Sequence, residues 1–469
     1  MRPGQRQKRP KYGRARRKQS ATVCGMVRFR SSSARLPRLT RDEIYRRHTA
    51  RANVVTRPLK FLLISIFYPP HSFGGDAVFT SRLARALADE GHRVDVVHCL
   101  DSYFALHSAH PEQTLEAYPN VTVHGLQSGF GTFAPMLSHQ TGRTYLRRKP
   151  IEEIIERSAP DVIHYHNVSL FGPEVLTLGS RAGRALKVYT THEYWLVCPM
   201  HVLWKFNSRP CEKPECVRCM LLARRPPQLW RYSGMLNRVT DAVDLFLAPS
   251  RSTAKIHAER GFTRPMRYLP SFAEPAPAGL GENPHPRPYF LFVGRLFAGK
   301  GVRSLVNAWS KTSVDADLLI VGEGPEAARL RRMASGDPRI HFLGYKTQAE
   351  LSPYYAHCLA CIVPSQMYEV FTLVVLEAFI HQAPVIVWDQ GPLREMIEDS
   401  GGGLLYRTEE ELLAAVDLIA RDSAIRNEMG DNGFRMVSGE WSKATHLKNY
   451  FALIREASLR KFGGVPWEK

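Results

Sequence analysis

What the 469-residue chain has little of narrows its class before any motif is read. No stretch reaches the ~18 uninterrupted apolar residues of a membrane-spanning helix, so a helical integral membrane protein is excluded. No short internal repeat is present, which argues against a solenoid or propeller. Cysteine is scarce, eight residues in all, and no apolar core of secretory-signal length precedes them. A disulfide scaffold is therefore not expected. Acidic residues are nearly missing from the amino-terminal stretch. Residues 1–58 hold only Asp42 and Glu43 against 18 Lys and Arg, whereas the other 411 residues carry 46 basic and 42 acidic side chains. The formal net charge of +20 thus belongs to a tail and not to the body. A like-charge tail with few large apolar residues cannot offset its ordering entropy, so residues 1–58 read as a basic, disordered leader. It weakly resembles a transit peptide, and it equally suits an anionic-lipid or nucleic-acid arm, a dispensable extension or a mis-assigned start. No specific nucleic-acid partner is expected of the body. With 44% hydrophobic residues, 33 Gly and 32 Pro, the composition excludes collagen, coiled coil and wholesale disorder.

From Lys60 onward, short continuous apolar runs alternate with amphipathic stretches. Phe61–Ser65, Arg93–Cys99, Val121–Leu126, Asp161–His166, Lys187–Glu193 and Asp244–Ser250 read as buried strands. A second series follows at Tyr289–Arg295, Asp317–Glu323, Ile340–Tyr345, Leu359–Ser365, Pro384–Asp389 and Gly403–Tyr406. Helical patterns such as Ala77–Glu90, Val302–Ser310, Pro325–Ala334 and Thr408–Ala420 separate them. That alternation predicts parallel sheets covered on both faces, an α/β class with two doubly wound Rossmann-like domains facing across a cleft. Six prolines between Pro270 and Pro288 mark the join. The expected organisation is a leader over 1–58, an N-terminal acceptor-side domain over 59–271 with a cysteine-bearing excursion at 195–225, and a linker over 272–288. A C-terminal donor-side domain follows over 289–440, then a helical segment over 441–469 that packs back toward the N-terminal domain.

The chemistry concentrates at predicted strand ends. Glu369 follows the strand ending at Pro364–Ser365, and Glu377 lies eight residues on, inside a helix predicted over Val370–Ile380. The N–H groups of Phe371, Thr372 and Leu373 would point out of that helix, making an anion site through unpaired donors and the helix dipole. Alone, Glu369 would be a dipole partner and Glu377 a solvated helix residue. However, Gly294-Arg295 and Lys300-Gly301 follow another strand and supply two cations opposite a helix N-terminus, which suits a diphosphate. Gly322-Glu323-Gly324-Pro325 reads as a loop where backbone approaches something closely. Gly74-Gly75 opens the first helix at the other face of the cleft.

Together with Thr190-Thr191-His192-Glu193, these motifs resemble the GT-B-fold glycosyltransferases of family 4 (glycosyl transferases group 1), over about residues 58 to 460. The resemblance implies a retaining transferase that takes a sugar from a nucleoside-diphosphate sugar through an oxocarbenium-like ion pair. The alternatives on the same fold are a sugar phosphorylase or a nucleotide-sugar epimerase. By the resemblance, Arg295 and Lys300 grip the diphosphate, Glu377 binds the ribose and Glu369 contacts the sugar. His192 faces the sugar across the cleft, and Asn167 contacts sugar or acceptor. Gly74, Gly75, Gly294, Gly322, Gly324, Phe371, Thr372 and Leu373 complete the donor surface. Most relatives carry Gly where Thr372 stands. No metal is implied for catalysis. The acceptor is expected to be a lipid-linked or growing surface glycan, and the place of action the cytoplasm, with peripheral contact at the membrane face. Arg147, Arg148 and Lys149 or the Trp204–Arg225 segment are the contact candidates.

Cys198, Cys211, Cys216 and Cys219 have the spacing C-x12-C-x4-C-x2-C, which suits a structural zinc, with His201 as a substitute ligand. Free thiols or a redox pair are the other readings. Cysteines and basic tail together keep open a zinc- or nucleic-acid-binding protein. Cys358 and Cys361 read as core thiols. Asp315-Ala-Asp317, an Asp-x-Asp, begins a strand at its amino end and reads as solvated charge.

Overall fold

The structure is a computed structural model describing residues 57–468 apart from 108–109, 112–113, 115, 180–184, 277–278 and 280. The expected leader thus lies outside the described residues up to position 56. Arg57 is described, and it pairs with Asp161 at 2.7 Å.

The first sheet contains β1 (Lys60–Ile64), β2 (Arg93–Cys99), β3 (Val121–Leu126), β4 (Val162–Tyr165), β5 (Leu186–Thr190), β6 (Leu245–Ala248) and β7 (Met266–Tyr268). They are parallel, in the order β3-β2-β1-β4-β5-β6-β7. The second contains β8 (Tyr289–Val293), β9 (Asp317–Val321), β10 (Ile340–Gly344), β11 (Cys361–Val363), β12 (Val385–Trp388) and β13 (Gly403–Tyr406), parallel in the order β10-β9-β8-β11-β12-β13. Helices that position the site are α1 (Gly75–Asp89), α2 (Arg251–Glu259), α3 (Val302–Trp309), α4 (Leu373–Ile380), α5 (Gly391–Ser400) and α6 (Lys443–Phe462).

Each sheet is buried on both sides, which is why its strands read as unbroken apolar runs. In β1, Phe61 and Leu63 pack under α1 and α6, while Leu62 and Ile64 enter the opposite layer with Ile151, Ile155 and Trp195. Such side chains contribute about 1.5–3 kcal/mol each on burial. The chain leaves the first sheet at Tyr268 and enters the second at Tyr289. Trp441 stacks on Phe379 of the second domain, and α6 then lies against the first, where Tyr450 meets His164 and Lys461 meets Asp244.

Helix α4 begins at Leu373, three residues later than its periodicity predicts. The cause is tertiary. The Val370 carbonyl that would accept the first helical bond instead accepts the hydroxyls of Ser250 and Thr253, from the start of α2 in the other domain. Thr372 is therefore the extended N-cap residue.

Candidate active site

In both sheets the strand order reverses beside the first strand, between β1 and β4 and between β8 and β11. Ligands of open α/β sheets bind beyond the carboxyl ends at such points. Here the two crevices face one another. A Cβ on Gly75 would come within 3.2 Å of Leu373, so the glycine loop of one domain abuts the N-terminus of α4 in the other. Gly74, at φ +86°, makes that turn possible. Across the same seam, Tyr194 donates to the Glu369 carbonyl at 2.8 Å, and the amides of Arg251 and Ser252 donate to Glu395 of α5 at 2.8 and 2.7 Å.

On the donor side, the Lys300 ammonium lies 2.7 Å from Glu369 Oε1, which also accepts the Ser365 hydroxyl at 2.5 Å. Arg295 stands exposed at the end of β8, with no carboxylate partner among the described residues. The N–H groups of Phe371, Thr372 and Leu373 lie at the mouth of α4, and the Thr372 hydroxyl is buried with no hydrogen-bond partner. One cation, Lys300, lies beside open amide donors and an orphaned hydroxyl, and Arg295 stands exposed at the carboxyl end of β8, next to β11; such a set suits a polyanion.

Glu377 is not a solvated helix residue. It accepts Arg82 from α1 at 2.8 Å and the Tyr355 hydroxyl at 3.2 Å. Arg82 is only 3% exposed, and its Nε and Nη1 have no partner. The pair therefore bridges the two domains beside the donor loop. Sequence reasoning missed Arg82; its signal was a lone cation on the buried, otherwise apolar side of α1.

The second face of the cleft is a histidine stack. His192 Nε2 lies 2.9 Å from His166 Nδ1 with the rings stacked, and His166 lies tilted against His164, which bonds Thr190 and Tyr450. Burial pushes His192 down to about 3 and His166 well below its usual value, so both rings are neutral. His192 can therefore present a hydrogen bond, not a positive charge, to a substrate. Asn167 spends its amide internally: it donates to Asp76 at 2.9 Å and accepts from Ser169. Asp76, just after the glycine pair and also missed, is pushed up to about 6 by burial, against the lowering effect of Asn167.

Gly322 and Gly324 do stand where backbone approaches closely. A Cβ on Gly322 would fall 2.0 Å from the Gly294 carbonyl oxygen, and one on Gly324 2.3 Å from that of Leu296. What the backbone approaches closely is the neighbouring loop, which these glycines hold in place. Gly301, at φ +71°, does the same against Pro364.

Other expectations change with the structure. Arg147 does not face a membrane: it is buried and bonded to Asp101 at 3.1 Å, which leaves Arg148 and Lys149 exposed. Asp317 is not solvated charge either; it is buried among His285, Arg287 and His341, whereas Asp315 is exposed. Cys361 is wholly buried in β11, and Cys358 bonds the Tyr355 carbonyl. Cys198, Cys211, Cys216 and Cys219 line one cavity of about 20 Å³. Phe206 N–H donates to the Cys219 sulfur at 3.4 Å, and burial pushes the Cys198 thiol up to about 11. His201 is outside this set, paired with Glu193 at 2.6 Å. Among the described residues, ligand atoms converge within 4.8 Å of one another at His285, Asp317 and His341, and not at the cysteines. A cavity of about 500 Å³ opens near the amino end of β10, lined by Ile340, Arg339 and Met333, on the pole opposite the cleft.

Two Rossmann-like domains with their strand ends opposed define the GT-B class of fold. Comparison with known proteins agrees. Residues 73–276 match the model of glycosyltransferase family 4, and residues 287–422 match that of the glycosyl transferases group 1. The chain is 33% identical to a GDP-mannose-dependent alpha-mannosyltransferase of Mycobacterium tuberculosis over 54% of its own length and 61% of the relative's. It is 25% identical to an alpha-D-kanosaminyltransferase of Streptomyces kanamyceticus over 37% of its length and 47% of that relative. The match thus spans about half the length of these curated relatives. Sucrose-phosphate synthase from Thermosynechococcus elongatus has the same fold, with a TM-score of 0.65 at 20% identity, over 86% of this chain and all of that one. The chain belongs to the family 4, group 1 glycosyltransferases of GT-B fold.

Proposed function

We propose that this chain moves a sugar from a nucleoside-diphosphate sugar to a glycan or lipid-linked acceptor with retention of anomeric configuration. The observation that carries the reading is the pairing of Lys300 with Glu369 beside the open N-terminus of α4, with Arg295 at the carboxyl end of β8, at the switch point of the second sheet. In the reaction the C1–O bond to the diphosphate breaks and a bond from C1 to the acceptor oxygen forms on the same face. The acceptor proton goes to the departing phosphate oxygen. Lys300, Arg295 and the α4 amides stabilise the negative charge that develops there. Glu369 and neutral His192 hold the sugar hydroxyls, and Glu377 takes the ribose after exchanging Arg82 for it. No step requires a metal.

A donor screen across UDP-, GDP- and ADP-sugars tests the reading, with product configuration read by NMR. Unimpaired transfer in Glu369→Ala, Lys300→Ala and His192→Ala alike would sink the site assignment. A phosphorylase would need phosphate as co-substrate, and an epimerase would need no acceptor.

Two accessory features belong to the same proposal. A structural zinc on the four cysteines is supported by their shared cavity and by the N–H···S bond to Cys219, and closure onto the ion requires the thiols to draw together. Fewer than about 0.2 zinc per chain in unchelated protein would count against it. Peripheral contact with anionic lipid is supported by the exposed apolar residues Phe133, Met136, Leu221, Leu222 and Leu229 and by exposed Arg148 and Lys149. Among the described residues no helix is long and apolar enough to cross a membrane. Co-sedimentation with phosphatidylglycerol vesicles, lost in Leu222→Asp/Leu229→Asp, is the expected result.

A further inference from the structure

At the pole of the second domain farthest from the cleft, three side chains meet that neither the reaction nor the cysteine cluster uses. Asp317 opens β9 and its side chain is only 4% exposed. His341 lies in β10, in register with Leu319, so it shares a sheet face with Leu319 and Asp317. His285 comes from the interdomain segment, four residues before β8. Both imidazole Nε2 atoms approach the same oxygen, Asp317 Oδ2, at 2.7 Å for His285 and 3.1 Å for His341. The other oxygen, Oδ1, accepts Arg287 Nε at 3.0 Å, and that guanidinium also reaches Asp315.

We propose that His285, Asp317 and His341 form a binding site for a divalent transition metal of the zinc class. Three observations carry it. The ligand atoms all lie within 4.8 Å of one another. The 3.1 Å separation of His341 from Oδ2 is close to the ~3.3 Å edge of a tetrahedron with metal–ligand bonds of about 2.0 Å, and the 2.7 Å separation of His285 reaches it by lengthening about 0.6 Å. Two imidazoles and one carboxylate oxygen are a donor set that suits zinc, and a partly exposed His341 leaves a fourth position for water. Arg287 is placed to orient the carboxylate through its far oxygen, as groups outside a metal's ligand set commonly do. Hydrogen bonds alone would also hold the two rings on Oδ2, but then both Nε2 atoms must be protonated. Metal binding replaces those two protons, so each ring turns from donor to ligand with little movement.

The ion would have a structural role. It would clip the interdomain segment to the starts of the edge strand β10 and its neighbour β9, fixing where the linker enters the second domain. It lies too far from the carboxyl ends to touch a donor.

The test uses the full chain, stripped with chelator and titrated with Co²⁺ as the probe. Cobalt on thiolates gives an intense charge-transfer band, whereas cobalt on imidazole and carboxylate gives only weak d–d bands, so the cysteines are read separately. Wild type should take up one equivalent without the thiolate band, and its melting temperature should rise. His285→Ala/His341→Ala should lose that equivalent and that rise while keeping any thiolate signal. His341→Gln changes a partly exposed side chain and guards against misfolding; it should weaken the same equivalent at least tenfold. Equal non-thiolate uptake in wild type and variants, or none in wild type, overturns the proposal.

Discussion

Lys300 and Glu369 make a prediction in which two substitutions in one pair act in opposite directions. The Lys300 ammonium is held 2.7 Å from Glu369 Oε1, with side chains 24% and 11% exposed. A donor diphosphate must take Lys300 from that partner. A charge-assisted hydrogen bond contributes about 1.5–3 kcal/mol, so Lys300→Met should weaken binding of the nucleoside diphosphate by about 10- to 150-fold. The existing pair lies between an exposed ion pair, at about 0–1 kcal/mol, and a buried one. Releasing it is worth about 1–2 kcal/mol. Glu369→Gln should therefore tighten diphosphate binding about 5- to 30-fold while slowing sugar transfer, because the carboxylate that faces the sugar is gone. Calorimetric titration of the four proteins with the diphosphate closes the cycle. In the Lys300→Met background, Glu369→Gln should have no further effect on affinity, since no ammonium is left to release. An equal effect of Glu369→Gln in both backgrounds, or weaker diphosphate binding in wild type on that substitution, would refute the competition.

Gly301→Ala should unfold at lower denaturant and bind nucleotide more weakly. The residue sits at φ +71° with a Cβ position 1.8 Å from the Pro364 carbonyl, so beyond about 1–2 kcal/mol of left-handed strain the Glu369 loop must shift; Gly336→Ala, with nothing within 4 Å, is the control. Glu377→Ala leaves the buried Arg82 guanidinium unpaired and should cost about 3–5 kcal/mol in thermal unfolding, part of which Arg82→Met in the same chain restores; additive losses would mean the two do not interact. Buried Lys187 is pushed down to about 8 by desolvation. Its folded value lies below its unfolded one, so its burial opposes folding fully below pH 8, by about 3 kcal/mol, and the opposition fades as pH rises toward 10.5. Lys187→Met removes this pH dependence, so its stability relative to wild type should be highest below pH 8 and fall between pH 8 and 10.5 in urea titrations; a pH-independent difference would exclude this cause.

The parts of this fold that were legible in the sequence are those where one local rule decides. Strands such as Tyr289–Val293 are buried on both faces and so spell themselves as continuous apolar runs. The Gly74 turn and the cation pair at Arg295 and Lys300 follow strand ends directly. Helix α4 shows the limit. Val370 and Phe371 fit the periodicity, yet Ser250 and Thr253, 117 and more positions earlier, take the carbonyl the helix needed. No local pattern carries that. Gly322 and Gly324 show a second limit: a Gly-x-Gly at a strand end announces close approach but not of what. Here the neighbour is the 294–296 loop, so the glycines serve the donor face by fixing that loop in place.

Charge was the least legible property, because a side chain's partner decides what its charge does. Glu377 reads as a solvated residue when taken alone, apart from the ribose contact that the resemblance implies, and Asp317 reads as solvated charge. The first holds Arg82 across the domain seam, and the second gathers two histidines and Arg287 at the opposite pole. Each is joined to a residue from another segment of the chain, Arg82 being 295 positions from Glu377. The two carboxylates also divide the labour of the second domain. Glu377 lies on the seam between the domains, paired with Arg82 of the first. Asp317 lies where the linker enters the second domain, and His285 and Arg287 of that linker and His341 of β10 all bond to it. One acid therefore joins the two domains and the other joins the linker to its domain, so a long-range partner sets the role of each.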